Sequence, residues 1–480
     1  MKLSAITIFV LTIGLLIGCS TSSTDRELKE YMSSYLNENQ DVVVFGSAQL
    51  KTILDKADYK SFDKISDVIE GQLKELDGAL DIATPLYYTV NGPFDKAGSP
   101  KSVTMLIKVV DQVKLEKKLT KMGYDINESG DFKYTEDGDM MLGFRGNLAV
   151  VLVQGGERDP KVELANHFKK VDNEPGNSQM NEILNAKGDV LMGMNLANLY
   201  NASPEKSKMT KEEQKKLDAL VKDSYAQTTF RFEDGTAIIE TKNMFNKTLN
   251  QRMFLKSESN SALLKELGNG KARAGFAMNI DLSKMESLAT EFSPEMIDQV
   301  GGPQLAMVKM FSGAKSLNDL LTGKAALIMY GEPDEFGSLQ PQFSAFVGLK
   351  PKGEQLGTMA GSFLGEMADF KSDKKGMSFS TVQTTTATKL MLPKGAENFG
   401  NTGISFFIDL EGLNPEEIAD MTDTEELEAI LKVSRFISFE YGNNGGQLKI
   451  IAKEGKENIL KQIMEVYVDK LVDQVSKISI

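Results

Sequence analysis

The chain has 480 residues, of which 55 are Lys or Arg and 68 are Asp or Glu, so its formal net charge is −13. With one histidine and one cysteine, the chain cannot form a multi-histidine metal site, an internal disulfide or a Cys-x-x-Cys redox pair. The acidic balance leaves no basic surface to neutralise phosphates, so we expect no nucleic-acid partner.

Residues 1–18 have the pattern of a signal peptide. Lys2 supplies the positive start, and Ile6 to Ile17 form an apolar core too short to span a membrane as a helix. The segment ends Leu16-Ile17-Gly18-Cys19, which resembles the lipobox of bacterial lipoproteins. That resemblance implies acyl lipids such as palmitate on Cys19, on sulfur and then, after cleavage, on nitrogen. Several acyl chains hold a protein on a membrane durably.

The polar run at residues 20–24 is typical of a mature N-terminus, and a signal peptide that merely ends near a free cysteine is the alternative. By resemblance to the enterobacterial sorting rule, Ser20 favours the outer membrane. Only Asp25 and Glu27 could form an acidic surface-export signal, so we expect the periplasmic face rather than the cell surface.

The body contains similar strand-to-helix junctions. Residues 189–199, 272–285 and 402–413 each run an apolar strand into Asn or Asp and then into leucines at helical spacing. Such side chains accept hydrogen bonds from unpaired helix amides, which predicts N-caps. The predicted caps are Asn195, Asp281 and Asp409, with Ser47 in a looser fourth copy at 41–54.

The elements that follow these junctions also match in order, which indicates two duplicated halves. Each reads β-α-β-β-α-β followed by β-α-β-β, with hairpins turned at Asp234-Gly235 and Asn444-Gly445. This predicts an α+β fold, each half a mainly antiparallel sheet with helices on one face and polar residues on the other. The predicted domains are a signal peptide (1–18), a lipidated N-terminus and polar tether (19–40), a first half (41–255), a linker (256–270) and a second half (271–480).

The lipobox, the repeated β-α units and the Lys- and Asn-rich body together resemble a Bacteroidota family of large outer-membrane lipoproteins, known as a domain of unknown function. The resemblance covers most of the mature chain. It implies an envelope location and an α+β fold, and it transfers no catalytic residue.

One segment has the spacing of an EF-hand calcium loop. Asp125, Asn127 and Ser129 supply oxygen ligands at loop positions 1, 3 and 5, and Glu136 stands at position 12. The residues after Glu136 suggest a turn and a strand rather than an exit helix. A β-hairpin is therefore the favoured alternative to a calcium site.

We find no complete catalytic constellation. His167 could act as a general base, but with no placed nucleophile nearby we expect a helix-surface residue. Five methionines gather early in the second half, where they could line an apolar groove or simply fill the core. They are Met278, Met285, Met296, Met307 and Met310.

The expected function is that of a lipid-anchored envelope protein of non-catalytic binding or scaffold type, with another envelope protein or component as its partner. A carrier or sensor of an apolar ligand, bound in a groove between the halves, is the alternative. A carboxylate-dependent envelope hydrolase is a third possibility, and it requires an open cleft with at least two converging Asp or Glu side chains.

Overall fold

The computed structural model describes residues 25–155, 160–168, 177–258, 270–292, 312–331, 342–364, 368–381, 390–414 and 430–478, together with positions 264, 267 and 310. The chain divides into two compact units. The first comprises Met1–Asn246 and Glu454–Ile480, and the second comprises Lys247–Lys453. Both combine helices with antiparallel strands, so the fold class is α+β, as predicted.

The helices of the first unit are α1 (Asp25–Glu38), α2 (Leu50–Ala57), α3 (Asp63–Leu76), α4 (Gln112–Lys121), α5 (Pro160–Phe168), α6 (Ser178–Leu184), α7 (Leu196–Ala202), α8 (Lys211–Val221) and a C-terminal helix (Ile459–Ile478). Its strands are β1 (Val42–Ala48), β2 (Leu80–Asp81), β3 (Leu86–Phe94), β4 (Pro100–Val109), β5 (Asn127–Ser129), β6 (Phe132–Asp137), β7 (Met140–Arg145), β8 (Leu148–Gln154), β9 (Val190–Asn195), β10 (Tyr225–Glu233) and β11 (Thr236–Met244).

The strands of the first unit form one antiparallel sheet in the order β11-β10-β9-β1-β3-β4-β8-β7-β6-β5, with β2 beside β4. In the middle of this sheet, β1 lies between β3 and β9, and Phe45 is opposite Thr89 on one side and Gly193 on the other. Strands distant in sequence are thus neighbours at the centre of the unit.

Both faces of this sheet are apolar at its centre. Strand β8 places Val150 and Leu152 in one hydrophobic cluster and Ala149 and Val151 in another. Since alternate residues of a strand point to opposite faces, the sheet is buried on both sides here. The prediction of a polar second face is wrong in this region, because α1, α5 and α6 supply apolar residues to one cluster and α2, α3 and α4 to the other.

The two ends of the first unit differ from the predicted domains. Residues 25–38, predicted as polar tether, form α1, which buries Leu28, Met32 and Leu36 at helical spacing. The C-terminal helix, predicted within the second half, packs on α2 and α3 of the first unit. Its Met464 and Val468 contact a cluster whose buried members are Leu54, Tyr59, Ile65 and Ile69.

The helices of the second unit are α9 (Lys247–Arg252), α10 (Leu282–Phe292), α11 (Leu317–Leu320) and α12 (Glu354–Leu364). Its strands are β12 (Gly270–Asn279), β13 (Leu321–Tyr330), β14 (Gln342–Leu349), β15 (Asp369–Ser372), β16 (Gly376–Ser380), β17 (Leu390–Met391), β18 (Ile404–Asp409), β19 (Ser434–Gly442) and β20 (Gly445–Ala452). The antiparallel order is β20-β19-β18-β12-β13-β14-β16-β15, and the short β17 runs parallel to the start of β12.

The two units share a strand order at their centres. The series β11-β10-β9-β1-β3-β4 in the first corresponds to β20-β19-β18-β12-β13-β14 in the second. Duplication is one explanation of this match, and it stays a prediction.

The structure shows two of the predicted N-caps and both predicted hairpins. The Asn195 side chain accepts from the Asn198 amide, and Asp281 accepts from the Lys284 amide, as predicted for N-caps. Ser47 does not cap a helix, because it lies buried inside β1. The first hairpin turns at Asp234-Gly235, whereas the second places Gly442 opposite Gly445, one residue earlier than predicted.

Among the described residues, no helix has the length and apolar content needed to cross a bilayer.

Candidate ligand-binding pocket

A ladder of polar residues interrupts one apolar face of the first-unit sheet. Thr89 and Asn91 on β3 lie opposite Thr104 and Ser102 on β4, and all four are at most 2% exposed. The alternation of strand side chains places these residues on one face, between β1 and β8. Buried polar groups are costly unless they are hydrogen-bonded, so this ladder calls for partners from another element.

Two helices supply polar partners above the ladder. Helix α1 contacts β3 and β4 and carries Tyr31 and Tyr35, and α5 carries Glu163 and His167. Residues four apart share a helix face, so each helix brings both of its side chains to the same side. The Tyr31 hydroxyl donates to the His167 carbonyl, which joins the two helices directly.

A hydrogen-bond chain leads from the ladder to a pair of carboxylates. Asn91 Nδ2 donates to Ser102 Oγ over 3.0 Å, and Ser102 Oγ donates to Glu163 Oε1. Lys101 Nζ lies 3.0 Å from Asp41 Oδ2 and 3.8 Å from Glu163 Oε2. Lys101 therefore bonds to Asp41, while its distance to Glu163 exceeds that of a hydrogen bond.

Several buried polar atoms at this place have no hydrogen-bond partner among the described residues. They are Thr89 Oγ1, Asn91 Oδ1, Glu163 Oε2 and His167 Nδ1. Leaving a buried donor or acceptor unsatisfied costs about 1–3 kcal/mol. Such atoms gathered in one place mark a candidate site, where a bound molecule would complete the hydrogen bonding.

Burial changes the ionisation of His167 and Tyr35. His167 is fully buried, and desolvation lowers the pKa of its imidazole to about 3, so the ring is neutral at pH 7. Burial, reinforced by the Glu163 carboxylate, raises the pKa of the Tyr35 hydroxyl above its usual value of 10. Both side chains are therefore uncharged, and the fixed charges of the site are those of Asp41, Lys101 and Glu163.

A cavity of about 320 Å³ opens beside these groups. This volume is at the lower end of the range of about 300–1,000 Å³ that is usual for small-molecule pockets. Its lining contains three amides, two carboxylates, an ammonium, a phenol and one valine, namely Asn39, Asn91, Asn166, Asp41, Glu163, Lys101, Tyr35 and Val162. We call it the α1–α5 pocket, after the helices that carry Tyr35 and Glu163.

The pocket contains the pair of carboxylates that the hydrolase hypothesis requires. Lys101 Nζ lies within 4 Å of an oxygen of each carboxylate. The wall of hydrogen-bonding side chains suits recognition of a small polar molecule better than acid–base chemistry.

The residues that the sequence singled out lie elsewhere. Cys19 is outside the described residues. Asp125 precedes a hairpin in which Asn127 pairs with Tyr134 and Ser129 with Phe132. The segment with calcium-loop spacing therefore forms the β-hairpin that was the favoured alternative to a calcium site. Glu136, on β6, forms an ion pair with Lys161 over 2.9 Å. The described part of the chain contains no group of three or more His, Cys, Asp or Glu residues arranged to hold a metal.

The structure places His167 and three of the five methionines that the sequence singled out. His167 was expected on a helix surface, and this is wrong because α5 turns it inward against Tyr35. Met278 and Met285 pack against the buried Leu255, Ile280 and Leu282, as core-filling methionines do. Met310 is 71% exposed, and Met296 and Met307 lie outside the described residues.

The sequence contains a signal for the pocket in the spacing of its polar residues. Thr89 and Asn91, like Ser102 and Thr104, are polar residues two apart inside otherwise apolar strands, which places them on one face. Glu163 and His167 have the matching helical spacing. Polar residues with the period of their element mark a buried polar layer.

Comparisons with known proteins add little to this site. No protein-family model and no curated protein matches the chain. Two solved structures are similar at 9% identity: crystal form III of TP0453 covers 45% of this chain and 86% of its own, with a TM-score of 0.26, and form I covers 71% and 87%, with a TM-score of 0.19. TM-scores this low carry no argument about fold or function.

Proposed function

We propose that this chain is a lipid-anchored bacterial envelope protein of non-catalytic binding type, and that the α1–α5 pocket holds its ligand. The observation that carries the proposal is a cavity of about 320 Å³ whose lining residues Asn91 and Glu163 each have a buried oxygen without a hydrogen bond. A ligand that donates hydrogen bonds to these oxygens would remove the cost of leaving them unsatisfied.

Chain length limits how far the pocket can be from the anchor. Asp25, where α1 begins, lies six positions after Cys19, and an extended chain spans at most about 3.6 Å per position, or about 22 Å in all. Tyr35 lies ten residues further along α1, about 15 Å at 1.5 Å per residue. An anchor at Cys19 therefore keeps the pocket within about 40 Å of the membrane, where envelope components are concentrated. We propose the periplasmic face of the outer membrane as this location.

Membrane fractionation tests the anchor. Replacing Cys19 with Ala should move the protein from carbonate-washed membranes to the soluble fraction without changing its melting temperature. A Cys19→Ala protein that stays in the washed membranes would contradict the anchor.

Analysis of bound small molecules tests the pocket. Val162 lines the pocket on its exposed side and is 62% exposed, so Val162→Trp should fill the cavity without disturbing the core. Val113 is 59% exposed on α4, outside the pocket lining, and Val113→Trp is the matched control. We expect chromatography with mass spectrometry of denatured full-length protein to find a small molecule in the wild type and the control but not in Val162→Trp. Equal release from all three proteins, or from none, contradicts the proposal.

A second candidate is the carrier or sensor of an apolar ligand, and one surface of the second unit favours it. Phe276 on β12 lies in register between Leu327 on β13 and Phe406 on β18, and the three side chains are 36–42% exposed. Organic extraction of the purified protein should then release a lipid in stoichiometric amount, beyond the acyl groups on Cys19. Protein without such a lipid removes this candidate.

A further inference from the structure

We infer that the α1–α5 pocket recognises a primary ammonium group, carried by a small molecule or by a lipid headgroup. The inference rests on the proposed function and names the chemistry of its ligand. It follows from the kind of atoms left without partners, the charge of the lining, and the position of Lys101.

The unsatisfied atoms of the lining are acceptors. Asn91 Oδ1 and Glu163 Oε2 are oxygens that cannot donate when the carboxyl group is ionised, and neither accepts a hydrogen bond from a described residue, although Lys101 Nζ lies 3.8 Å from Glu163 Oε2. The other ends of these side chains are already fixed, because Asn91 Nδ2 donates to Ser102 and Glu163 Oε1 accepts from Ser102. A ligand with N–H or O–H donors would therefore complete the hydrogen bonding of these two oxygens.

The charge of the lining favours a cation among such ligands. Asp41 and Glu163 contribute two negative charges and Lys101 one positive charge, which leaves a net charge of −1. Lys101 is 3.0 Å from Asp41 and 3.8 Å from Glu163, so it neutralises mainly Asp41. Since the Glu163 side chain is only 11% exposed, its carboxylate is poorly solvated and gains from a second cation.

A primary ammonium combines both requirements. It carries one positive charge and three N–H donors in a compact group, enough for Glu163 Oε2 and Asn91 Oδ1 together. A quaternary ammonium of the same charge has no N–H and leaves both acceptors unsatisfied. A neutral hydroxyl donates but adds no charge. The pocket should therefore discriminate according to N–H donation as well as charge.

Calorimetric titration of the full-length Cys19→Ala protein tests this with glycerophosphoethanolamine and glycerophosphocholine, which differ only in three N-methyl groups. We expect the ethanolamine compound to bind at least about tenfold more tightly, and Glu163→Gln to remove most of that preference. Glu128→Gln, on β5 and outside the lining, should keep it. Equal affinity for the two compounds, or no binding of either, overturns the inference.

Two further measurements complete the test. One identifies whether the ammonium group belongs to a lipid or to a soluble molecule, and the other shows whether the proposed pocket fails together with the ammonium inference. Flotation with vesicles containing phosphatidylethanolamine or phosphatidylcholine identifies the source: binding to the former alone upholds a lipid headgroup, and binding of only the soluble compound upholds a free amine. If both compounds bind equally and Val162→Trp abolishes both, the ammonium inference fails while the proposed pocket stands. If Val162→Trp changes the binding of neither compound, the pocket itself fails.

Discussion

The rings of Tyr35 and His167 stack with their centroids 4.3 Å apart and their planes inclined by 19°. The contact joins α1 to α5 below the pocket, and it places the chain's one histidine where water does not reach it. His167 Nε2 lies 3.4 Å from Thr104 Oγ1, so the imidazole contacts both the aromatic ring and the polar ladder. Its neutral form is part of the packing of the first unit.

The buried histidine makes stability depend on pH. Burial lowers the pKa of His167 from 6.5 to about 3, so between these values the unfolded chain binds a proton that the folded chain does not. The free energy of unfolding therefore falls as pH drops from 6.5 towards 3, by at most about 1.4 kcal/mol per pH unit. Carboxylates also titrate at low pH, so the informative quantity is the difference between wild type and His167→Phe. Urea denaturation at pH 5 and pH 7 should show the wild type losing more stability than the variant, and equal losses would contradict a buried neutral His167.

The second unit contains a buried ion pair. Arg273 and Asp409 have side chains only 4% and 8% exposed, with Arg273 Nη1 3.4 Å from Asp409 Oδ2. Arg273→Met should cost about 3–5 kcal/mol, because it leaves the Asp409 charge buried without its cation. Lys51→Met, which removes a pair on α2 whose side chains are 51% and 56% exposed, should cost less than about 1 kcal/mol. Chemical denaturation measures both, and similar effects of the two substitutions would be the contrary result.

Gly46 is required by a close approach between strands. A Cβ at this position of β1 would lie 1.9 Å from the Leu191 carbonyl oxygen and 2.7 Å from the Tyr88 hydroxyl, which itself donates to Leu191 over 3.0 Å. Gly46→Ala should destabilise the protein by about 1–3 kcal/mol or more, because backbone must move. Gly71→Ala in α3, where a Cβ meets no described atom within 4 Å, should instead stabilise by about 0.5–1 kcal/mol. Opposite signs in thermal unfolding are the expected result, and a harmless Gly46→Ala would refute the close approach.

The C-terminal helix should contribute to the stability of the first unit. Ile459, at its start, is fully buried, and Val466 on the same helix is 39% exposed. Ile459→Ala should lower the free energy of unfolding by about 2–5 kcal/mol through the cavity that it leaves. Val466→Ala should have a clearly smaller effect, because less apolar surface is lost from the interior. If the two variants unfold at the same denaturant concentration, the helix does not pack as described.

Local signals in the sequence predicted local structure. Asn195 caps α7, Asp281 caps α10 by accepting from the Lys284 amide, and Asp234-Gly235 turns its hairpin, because each depends on residues within a few positions. What the sequence did not show is which distant segments meet. The burial of His167 depends on α1, more than 120 positions earlier, and the assignment of the C-terminal helix depends on α2, 400 positions earlier. The pocket was missed for the same reason, since its polar residues come from four segments.

The proposed function requires that an anchored protein hold a small polar ligand in the α1–α5 pocket. Native mass spectrometry of the full-length protein, extracted from its own membranes in mild detergent, measures anchor and ligand together. We expect a chain that begins at Cys19 with its acyl groups and carries one small molecule that Val162→Trp loses and Val113→Trp keeps. A chain that retains residues 1–18 with an unmodified Cys19, and carries no ligand, would contradict it.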